Sequence, residues 1–344
     1  MKIRKITLII TAVMICAAML LSGCKSGDTT APAGTTAADD GKVYKIRLGN
    51  TTSPTDILNI SFEKMADAIN ERSGGRLEVT VYPSGQLGTL RTMTEGLQNG
   101  TLEMSTNSAG GLAGFLPVMG TLELPYLFDS HQNVYDVVDG PIGQELNQQF
   151  LDKTGIRILS YWENMLRQTT NNVRPVNAVA DFAGLKLRVP ETKTVMDTIA
   201  ALGASPTPMA FGEVYTGLSQ GTIDGQENPC TIIDSAKLFE VQKYLSLTAH
   251  IYSPVVVMIA EDFYQSLPED LRAILDEEVA IAQAENRAEA ERLDAELLEA
   301  LRDKMQVNEV DTTGFREAVQ SAYDSLFATA PEAENYIKQI EESK

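Results

Sequence analysis

The sequence predicts an α/β protein with two lobes. From residue 43 onward, segments typical of strands alternate with segments typical of helices, which indicates sheets of parallel strands covered by helices. About 300 residues follow the N-terminal region, which is enough for two lobes rather than one hydrophobic core. Near the C-terminus, the apolar spacing over 267–305 predicts one long helix that exceeds the size of a single lobe unless it is kinked.

The first 24 residues have the pattern of a bacterial lipoprotein leader. Basic residues within the first five positions precede an apolar run over 6–21, and the run leads into Leu-Ser-Gly-Cys. A cysteine directly after a small residue at such a cleavage site predicts a signal peptide over 1–23 and lipidation of Cys24. A membrane-spanning anchor is the alternative, for which the apolar run is short. The small and polar residues 24–42 contain too little apolar surface to fold and predict a flexible tether.

The first group of α/β elements follows the tether. We expect strands over 43–48, 77–82 and 102–106, helices over 56–72 and 89–98, and a further strand that begins at 155 and leads to Arg167. In α/β sheets the carboxyl ends of strands meet at clefts, and the loops after the first and third strands carry small polar side chains. We therefore expect Thr52 and Ser108, in these two loops, to line a binding cleft.

The second group of elements is expected between Arg167 and Ile251. Its members are a strand over 185–189, helices over 193–202 and 211–220, and candidate strands near 222–223 and 252–259. The sequence Asp-Gly-Gln-Glu-Asn-Pro over 224–229 is expected to be a polar loop. The two prolines within 206–208 predict a rigid turn that fixes the start of the following helix.

The chain is strongly acidic, with a formal net charge of −19 that becomes more negative if the basic leader is removed. Such a charge excludes nucleic acids and anionic membrane surfaces as partners bound through the general electrostatic field. The same field opposes an anionic ligand, so local arginines in a closed pocket would have to bind a carboxylate. Screening over about 8 Å at physiological salt makes this feasible.

The cysteines and histidines favour neither a disulfide nor a metal site. With Cys24 lipidated and Cys16 removed with the leader, Cys230 has no internal disulfide partner, and its mostly apolar neighbours predict a buried thiol. His131 and His250 have no partner spacing that fits zinc. No metal and no cofactor are therefore predicted.

Arg188 lies in a short strand-like segment among Leu185, Leu187 and Val189. A guanidinium fixed at a strand end can bind a carboxylate through two parallel hydrogen bonds. Arg188 is therefore a candidate for the recognition of a small carboxylate. An exposed arginine at a strand end is the alternative that the residues alone leave open.

Motifs along the chain resemble those of one family of binding proteins. They are GLKLRVP over 184–190, LGASPTPMAFGEVY over 202–215 and DGQENP over 224–229, with weaker matches in YPSGQLG over 82–88, LELPYLF over 122–128 and FYQSLPEDLR over 263–272. The chain resembles the extracytoplasmic solute-binding proteins of TRAP transporters, of the dicarboxylate-binding (DctP) type. The motifs cover nearly all of the mature chain in the expected order.

The resemblance implies a role for four residues in binding a ligand. Arg188 occupies the place of the arginine that binds the ligand carboxylate in this family. Arg167 resembles a second binding arginine, with an ion pair between the lobes as the alternative. Phe211 and Asn228 have the spacing of a packing aromatic residue and of a polar ligand contact, although Phe211 could instead belong to the core. Glu227 is expected to be structural, because its charge would repel an anion.

The resemblance also implies a two-lobe fold of the periplasmic-binding-protein type, with a ligand cleft between the lobes and the long helix in contact with both. We assign residues 43–166 and 255–290 to lobe I, and residues 167–254 and 291–344 to lobe II. Some relatives that bind sialic acid carry an acidic residue at the position of Ser108. The serine in this chain therefore disfavours a sialic acid ligand.

The implied function is the capture of a small organic acid, either a C4-dicarboxylate or a sugar acid. The acid would be delivered to the small and large membrane permease subunits of a transporter driven by an ion gradient. The resemblance implies no catalysis and no cofactor, and we expect a monomer held outside the cytoplasm by its lipid. A sensory lipoprotein that presents a carboxylate to a membrane receptor is the alternative, which neighbouring genes would distinguish.

A serine hydrolase is a remote alternative. Gly217-Leu-Ser219-Gln-Gly221 matches the nucleophile pattern G-x-S-x-G, and Asp234 and His250 follow in the order found in α/β-hydrolases. That serine must follow a strand and open a helix, whereas the residues before Ser219 are typical of a helix that has already begun. The sequence therefore favours a binding protein over an enzyme.

Overall fold

The computed structural model describes residues 41–344. The predicted signal peptide, the lipidation site Cys24 and nearly all of the predicted tether lie outside the described residues. Within the described range, no helix is long and apolar enough to cross a membrane.

The described residues alternate between strands and helices. The strands are β1 (Tyr44–Gly49), β2 (Leu77–Tyr82), β3 (Met104–Ser108), β4 (Ile156–Trp162), β5 (Leu166–Asn171), β6 (Lys186–Val189), β7 (Ser205–Pro208), β8 (Gly225–Asn228), β9 (Tyr244–Tyr252), β10 (Val255–Ala260) and β11 (Gln306–Glu309). The α-helices are α1 (Ile57–Arg72), α2 (Leu90–Gln98), α3 (His131–Val138), α4 (Pro141–Thr154), α5 (Lys193–Ala201), α6 (Val214–Ser219), α7 (Cys230–Ser235), α8 (Glu261–Ser266), α9 (Glu269–Arg302), α10 (Phe315–Ala318), α11 (Gln320–Phe327) and α12 (Ala333–Glu342).

The strands form two mixed sheets, one in each lobe. The first has the order β2-β1-β3-β10-β4, with β1 parallel to β2 and β3, and β10 antiparallel to β3 and β4. The second has the order β11-β9-β5-β8-β6-β7, with β6 parallel to β7 and β8, and β5 antiparallel to β8 and β9. The prediction of parallel strands is therefore correct for the βα units and wrong for β5, β9 and β10.

The antiparallel strands result from the way the chain connects the two sheets. β4 leads from the first sheet to β5 in the second through residues 163–165, and β9 leads back to β10 through residues 253–254. β4 lies beside β10, and β5 lies beside β9. The first connection runs from the first sheet to the second, and the other one runs back. The strands that they join are therefore antiparallel in each sheet, β4 to β10 in the first and β5 to β9 in the second.

Local sequence signals determine where several elements begin and end. Asp56 accepts a hydrogen bond from the backbone N–H of Leu58 and caps α1, and Thr89 and Thr92 form a capping box at α2. Gly155 ends α4 with a φ of +69°, which glycine adopts without strain, and β4 begins at the next residue. The starts of α1, α2 and β4 lie within one residue of the predicted ones, whereas α4 was not predicted.

Helices cover both faces of the first sheet. β10 is buried along its whole length, so Val255 and Val257 belong to one hydrophobic cluster whereas Val256 and Met258 belong to another. The first of these clusters includes residues of α1 and α9, and the second includes residues of α2, α3, α4 and α12. The second lobe has two smaller clusters, one between α5 and β6 and one around α6 and α7.

The long helix α9 contacts both lobes. It spans 34 residues, and is about 51 Å long at 1.5 Å per residue. Leu271 packs in the cluster of α1, whereas Leu301 packs in the same cluster as Ile233 of α7 in the second lobe. The predicted contact of this helix with both lobes is therefore confirmed. Its bounds are narrower than 267–305, because Pro268 occupies the cap position at its start and Asp303 the cap position at its end.

The assignment of chain segments to the two lobes stays a prediction. The packing of the last helix, α12, suggests a different assignment for the C-terminal residues. Tyr336 and Ile340 of α12 pack in the cluster that contains Phe150 of α4 in the first lobe. The sequence shows that α12 has an apolar face but not which cluster this face covers. We propose that residues from 333 onward belong with lobe I, although the assignment above places all of 291–344 in lobe II.

A buried carboxylate lies in the connection between β4 and β5. Glu163 accepts hydrogen bonds from the hydroxyls of Tyr135 (2.5 Å) and Tyr252, and His131 Nδ1 lies 3.1 Å from its Oε2. Its backbone N–H donates to Asn286 Oδ1 of α9 (2.9 Å). Burial raises the pKa of Glu163, but the hydrogen bonds from the histidine and the tyrosines outweigh this effect, so the pKa lies below its ordinary value. These contacts attach the interlobe connection to α3, β9 and α9.

Candidate functional site

A cavity of about 660 Å³, partly open to solvent, lies between the two sheets. The residues predicted to bind a ligand all lie on its wall, namely Arg188, Asn228, Arg167, Phe211, Ser108 and Thr52. An adjoining space of about 590 Å³ shares Arg188 and Phe211 and is also lined by Arg91 and Glu191. The sequence therefore identified side chains from both lobes that meet in one cavity, and their part in binding stays a prediction.

Arg188 presents a buried positive charge to this cavity. Its side chain is held by β6, and the residue is 3% exposed. Nε and Nη2 donate hydrogen bonds to the backbone oxygen of Met209 (3.0 and 2.7 Å), and the ring centre of Phe211 lies 5.6 Å from its Cζ. Within residues 41–344, no carboxylate lies within ion-pairing distance of this guanidinium.

Burial lowers the pKa of Arg188 to about 10, so the side chain is still charged at neutral pH. An unpaired buried charge is unfavourable, and an anion that enters the cavity would relieve that penalty. The first candidate for carboxylate binding is therefore placed where such a group could reach it.

Arg167 differs from Arg188 because it has a buried counter-ion. Its Nε and Nη2 donate to the two carboxylate oxygens of Glu227, the latter at 2.8 Å, and Nη2 also donates to Asn228 Oδ1 (3.1 Å). β5 and β8 are neighbours in the second sheet, so the ion pair lies within one lobe. The alternative of an ion pair between the lobes is therefore wrong.

Glu227 is buried completely, and two effects act on its pKa in opposite directions. Burial raises the pKa, but the charge and hydrogen bonds of Arg167 outweigh burial and lower the pKa to about 2. Glu227 is therefore ionised at neutral pH, and its carboxylate holds the Arg167 side chain in a fixed orientation on the cavity wall.

The segment 224–229 is not the polar loop that we expected. Residues 225–228 form β8, a buried strand between β5 and β6, and residues 222–223 lie in a bend rather than a strand. The polar side chains are satisfied by one another, since Gln226 donates to Thr170 Oγ1 (3.0 Å) and Asn228 donates to Gln226 Oε1 (2.5 Å). A polar strand of this kind cannot be recognised from composition.

Phe211 lies on the cavity wall and is partly exposed, at the start of a short 3-10 helix. The prolines of 206–208 precede it in β7, which is an extended edge strand rather than the predicted turn. Proline is tolerated on an edge strand because the missing N–H lies on the unpaired side. The side chain of Phe211 also packs beside the cluster around α6, so it serves both the core and the cavity.

Hydrogen bonds to buried asparagines fix the predicted residues of the first lobe. The backbone N–H and the hydroxyl of Thr52 both donate to Asn50 Oδ1 (3.0 and 2.9 Å). The backbone N–H of Ser108 donates to Asn107 Oδ1 (2.9 Å), and Asn107 Nδ2 donates to Thr94 of α2 (3.0 Å). These bonds position Thr52 and Ser108 at the carboxyl ends of β1 and β3, as the sequence predicted.

Glu123 is a cavity residue that the sequence analysis missed. It ends a 3-10 helix over Pro117–Glu123, is 1% exposed, and accepts hydrogen bonds from the hydroxyls of Ser108 (3.2 Å) and Ser253. A signal existed, because Glu123 is the single charged residue between 104 and 128.

The environment of Glu123 raises its pKa to about 7. Burial is the main cause, and the charge of Glu227 acts in the same direction. The hydrogen bond from Ser253 and the charge of Arg167 act against burial but do not outweigh it. Glu123 therefore exchanges its proton near neutral pH.

Asn164 is a second cavity residue that was not predicted, and unlike Glu123 it has no sequence signal. It lies in the connection between β4 and β5 and is 7% exposed. Its Oδ1 is buried and has no hydrogen-bond partner among the described residues. An unsatisfied buried acceptor is unusual, and a ligand donor would satisfy this one.

Comparison with known proteins identifies the family of this chain. The profile of the bacterial extracellular solute-binding protein family 7 (DctP) matches residues 48–330. The chain belongs to this family. The resemblance to TRAP solute-binding proteins and the two-lobe α/β fold that it implies are therefore confirmed.

Three relatives illustrate the range of this family. The 2,3-diketo-L-gulonate-binding periplasmic protein YiaO of Escherichia coli is 34% identical over 305 residues, which are 86% of this chain and 91% of YiaO. The sugar acid binding protein DctPAm of Advenella mimigardefordensis, solved with galactonate, is 30% identical with a TM-score of 0.84 over 88% of this chain and 99% of DctPAm. A TRAP periplasmic solute binding protein of Sulfurospirillum deleyianum, solved with succinate, is 27% identical with a TM-score of 0.83 over 88% of this chain and 100% of that protein. Proteins that resemble this chain are thus named for, or solved with, different acids.

The hydrolase pattern does not assemble into a catalytic site in this family 7 protein. Ser219 is exposed at the end of the short helix α6, and this helix follows a 3-10 turn rather than a strand. Asp234 pairs with Lys304 (2.7 Å), and His250 is buried in β9 with its Nε2 3.4 Å from Glu227 Oε2. Asp234 and His250 therefore have other partners, and Ser219 lies at a helix end rather than at the turn between a strand and a helix.

Cys230 is buried at the start of α7, as predicted. Burial raises the pKa of its thiol to about 12, so the thiol stays protonated at neutral pH. Within the described residues, no group of three histidine, cysteine or acidic side chains could hold a metal ion.

Proposed function

We propose that this chain is the solute-binding component of a TRAP transporter that captures a small organic acid between its two lobes. The observation that carries the proposal is the buried charge of Arg188, which faces the interlobe cavity without a carboxylate partner among the described residues. This cavity is concave, partly open to solvent and lined by both apolar and polar side chains of the two lobes, as sites for small molecules are. The acid would be a sugar acid or a C4-dicarboxylate, as named for the relatives.

Each residue of the second-lobe wall has a distinct role in this proposal. Arg188 binds the ligand carboxylate with its guanidinium, which the backbone oxygen of Met209 holds in place. Phe211 forms an apolar wall beside it. Arg167, oriented by Glu227, and Asn228 offer further polar contacts to the ligand.

The first lobe completes the site and makes binding depend on closure. Thr52 and Ser108 contact the ligand from the opposite sheet, so a bound acid bridges the lobes. A ligand that contacts both lobes has a higher affinity for the closed form and therefore shifts the equilibrium towards it. The closed protein then delivers the acid to the small and large permease subunits, without a cofactor and without chemistry of its own.

A screen followed by a conservative mutation tests the role of Arg188. A ligand at 100 times its dissociation constant adds about 2.7 kcal/mol to stability, so a thermal-shift screen of residues 41–344 against organic acids identifies the tightest one. In calorimetry with that acid, Arg188→Lys should weaken binding by more than about tenfold, because an ammonium cannot reproduce the planar fork. The exposed Arg316→Lys serves as the matched control. Unchanged affinity of Arg188→Lys would remove Arg188 from the site and the proposal with it.

The location is tested separately, through the predicted lipid. We propose that Cys24 is lipidated and that residues 24–42 tether the domain to the outer side of a membrane. Cys24→Ala should leave the protein unprocessed or release it from the membrane fraction, as measured by fractionation and labelling with a radioactive fatty acid. Normal lipid labelling of this variant would contradict the lipoprotein assignment and leave the binding proposal untouched.

A further inference from the structure

We infer that Glu123 and Asn164 make this site selective for a monocarboxylate that carries hydroxyl groups, such as a sugar acid, over a dicarboxylate of the same length. The inference rests on the proposed function, because it concerns the ligand that Arg188 would bind. It narrows that function from two classes of acid to one.

The position of Glu123 is the first reason. It lines the cavity from the first lobe, whereas Arg188 lines it from the second. Its carboxylate receives hydrogen bonds from two serine hydroxyls, and within residues 41–344 no cation lies within ion-pairing distance of it. A carboxylate can accept about four hydrogen bonds, so acceptor capacity is left for a ligand donor.

Glu123 cannot turn away from a ligand, because the turn over residues 110–114 packs directly against it. A Cβ atom added to Gly110 would lie 1.8 Å from its Oε2 and 2.7 Å from its Cδ. The glycine therefore allows a close approach that closes off the space behind the carboxylate. A ligand group on this side of the cavity meets a fixed acceptor.

Among the described residues, the cavity wall offers one cation without an ion-pair partner, so it can form one new ion pair with a ligand carboxylate. Arg167 is paired with Glu227, so Arg188 is the cation that needs an anion. A single ligand carboxylate meets this need, and a second one would enter a cavity that the carboxylate of Glu123 also lines. Juxtaposed like charges disfavour a wrong partner by several kcal/mol, whereas a hydroxyl in the same place donates a hydrogen bond to Glu123.

Asn164 gives an independent argument for hydroxyl groups. Its buried Oδ1 lines the same cavity and has no donor among the described residues. An ionised dicarboxylate such as succinate has no donor to offer, but every hydroxyl of a sugar acid has one. Two acceptors that can take a donor from the ligand, Glu123 and Asn164, thus line the same cavity as Arg188.

The selectivity should depend on pH, because the acid form of Glu123 can donate to a second carboxylate. The pKa of Glu123 lies at about 7, and the ionisable groups that act on it across the cavity are Arg167, which lowers it, and Glu227, which raises it. Above pH 7 Glu123 is mostly ionised, so a dicarboxylate would bind only together with a proton that Glu123 takes up. Its affinity should then fall by up to about tenfold for each further pH unit.

Calorimetry with a matched pair of ligands tests the inference. Galactonate and galactarate share one six-carbon skeleton and differ only at the last carbon, which is a hydroxymethyl group in galactonate and a carboxylate in galactarate. Succinate serves as a C4-dicarboxylate without hydroxyl groups. At pH 8 we expect galactonate to bind about 100-fold more tightly than galactarate or succinate. In Glu123→Gln, where the acceptor keeps its shape but loses its charge, the ratio should fall below about tenfold. The exposed Glu285→Gln of α9 should behave like the wild type.

Ser253→Ala provides a second variant that keeps the carboxyl group. It removes a hydrogen bond that stabilises the ionised form of Glu123, so dicarboxylate binding should persist to a higher pH than in the wild type. Galactarate or succinate binding as tightly as galactonate at pH 8, or a ratio that Glu123→Gln leaves unchanged, would overturn the inference. Those results leave the proposed function intact, whereas the lack of binding of any acid, or acid binding that Arg188→Lys does not weaken, would overturn both.

Discussion

The two walls of the interlobe cavity each bury a glutamate, and the two carboxylates behave in opposite ways. Glu227, in the second lobe, is paired with Arg167 and has a pKa of about 2. Glu123, in the first lobe, has two serine partners and a pKa of about 7. Burial acts to raise the pKa of both glutamates, and only at Glu227 is this effect outweighed, because the guanidinium of Arg167 is paired with its carboxylate.

In our proposal, this difference separates a structural charge from one that contacts the ligand. Glu227 keeps its charge at every physiological pH and serves to orient Arg167 on the wall. Glu123 changes its charge near neutral pH and faces the space where a ligand would lie. A buried acidic residue in a binding protein is therefore not informative until its counter-ion is known.

Removal of the structural charge should have the largest effect. Glu227→Gln leaves Arg167 buried without its counter-ion, and we expect it to lower the free energy of unfolding by about 3–5 kcal/mol. Urea unfolding of residues 41–344 at pH 7 measures this loss, with the exposed Glu285→Gln as the control. A loss below about 1 kcal/mol would mean that the pair is not what stabilises Arg167.

The pH dependence of stability should distinguish the two carboxylates next. The pKa of Glu123 is raised from 4.5 to about 7, so its contribution to stability is complete below pH 4.5 and is lost as the pH rises through 7. The loss is about 3 kcal/mol at 1.36 kcal/mol per pKa unit. Glu227 has a lowered pKa, so its contribution is present above pH 4.5 and is lost as the pH falls towards 2.

Glu123→Gln should therefore flatten the stability profile between about pH 5 and pH 8, relative to the wild type. Chemical unfolding at several pH values measures the two profiles. Parallel profiles for the two proteins would show that the pKa of Glu123 is not raised. The opposite behaviour that we assign to Glu123 and Glu227 would then be wrong.

Phe211→Leu should have the smallest effect and refine the second-lobe wall. The leucine keeps an apolar surface but removes the aromatic face whose centre lies 5.6 Å from Arg188 Cζ. We expect a loss of about 0.5–1 kcal/mol in ligand binding, which is a few-fold change in the dissociation constant. Calorimetry with the acid from the screen measures it, and an unchanged constant would show that the ring does not help to hold the guanidinium.

The second-lobe wall could be predicted from the sequence far better than the first. Arg188, Arg167, Phe211 and Asn228 occur within recognisable motifs at characteristic spacings, and the structure brings all four to one cavity. Thr52 and Ser108 could be placed because strands of an α/β sheet end at clefts. The two-lobe fold and the long helix could be predicted from chain length and apolar periodicity.

The features that the sequence did not reveal depend on contacts between distant segments. The environment of Glu123 is formed by Ser253 and the turn at Gly110, and no local pattern encodes that environment. The strand β8 looked like a loop because its side chains are polar. These side chains can be buried in a sheet because Gln226 finds its partner on β5, which lies far away in the sequence. The antiparallel strands follow from the direction of the interlobe connections, which the alternation of elements does not specify.

A crystal structure of the protein with the tightest acid from the screen tests the central claim most directly. We predict closed lobes, with the ligand carboxylate within about 3 Å of the Arg188 guanidinium and a ligand hydroxyl donating to Glu123. A carboxylate bound elsewhere, with Arg188 in contact with solvent or with Met209 alone, would contradict the account.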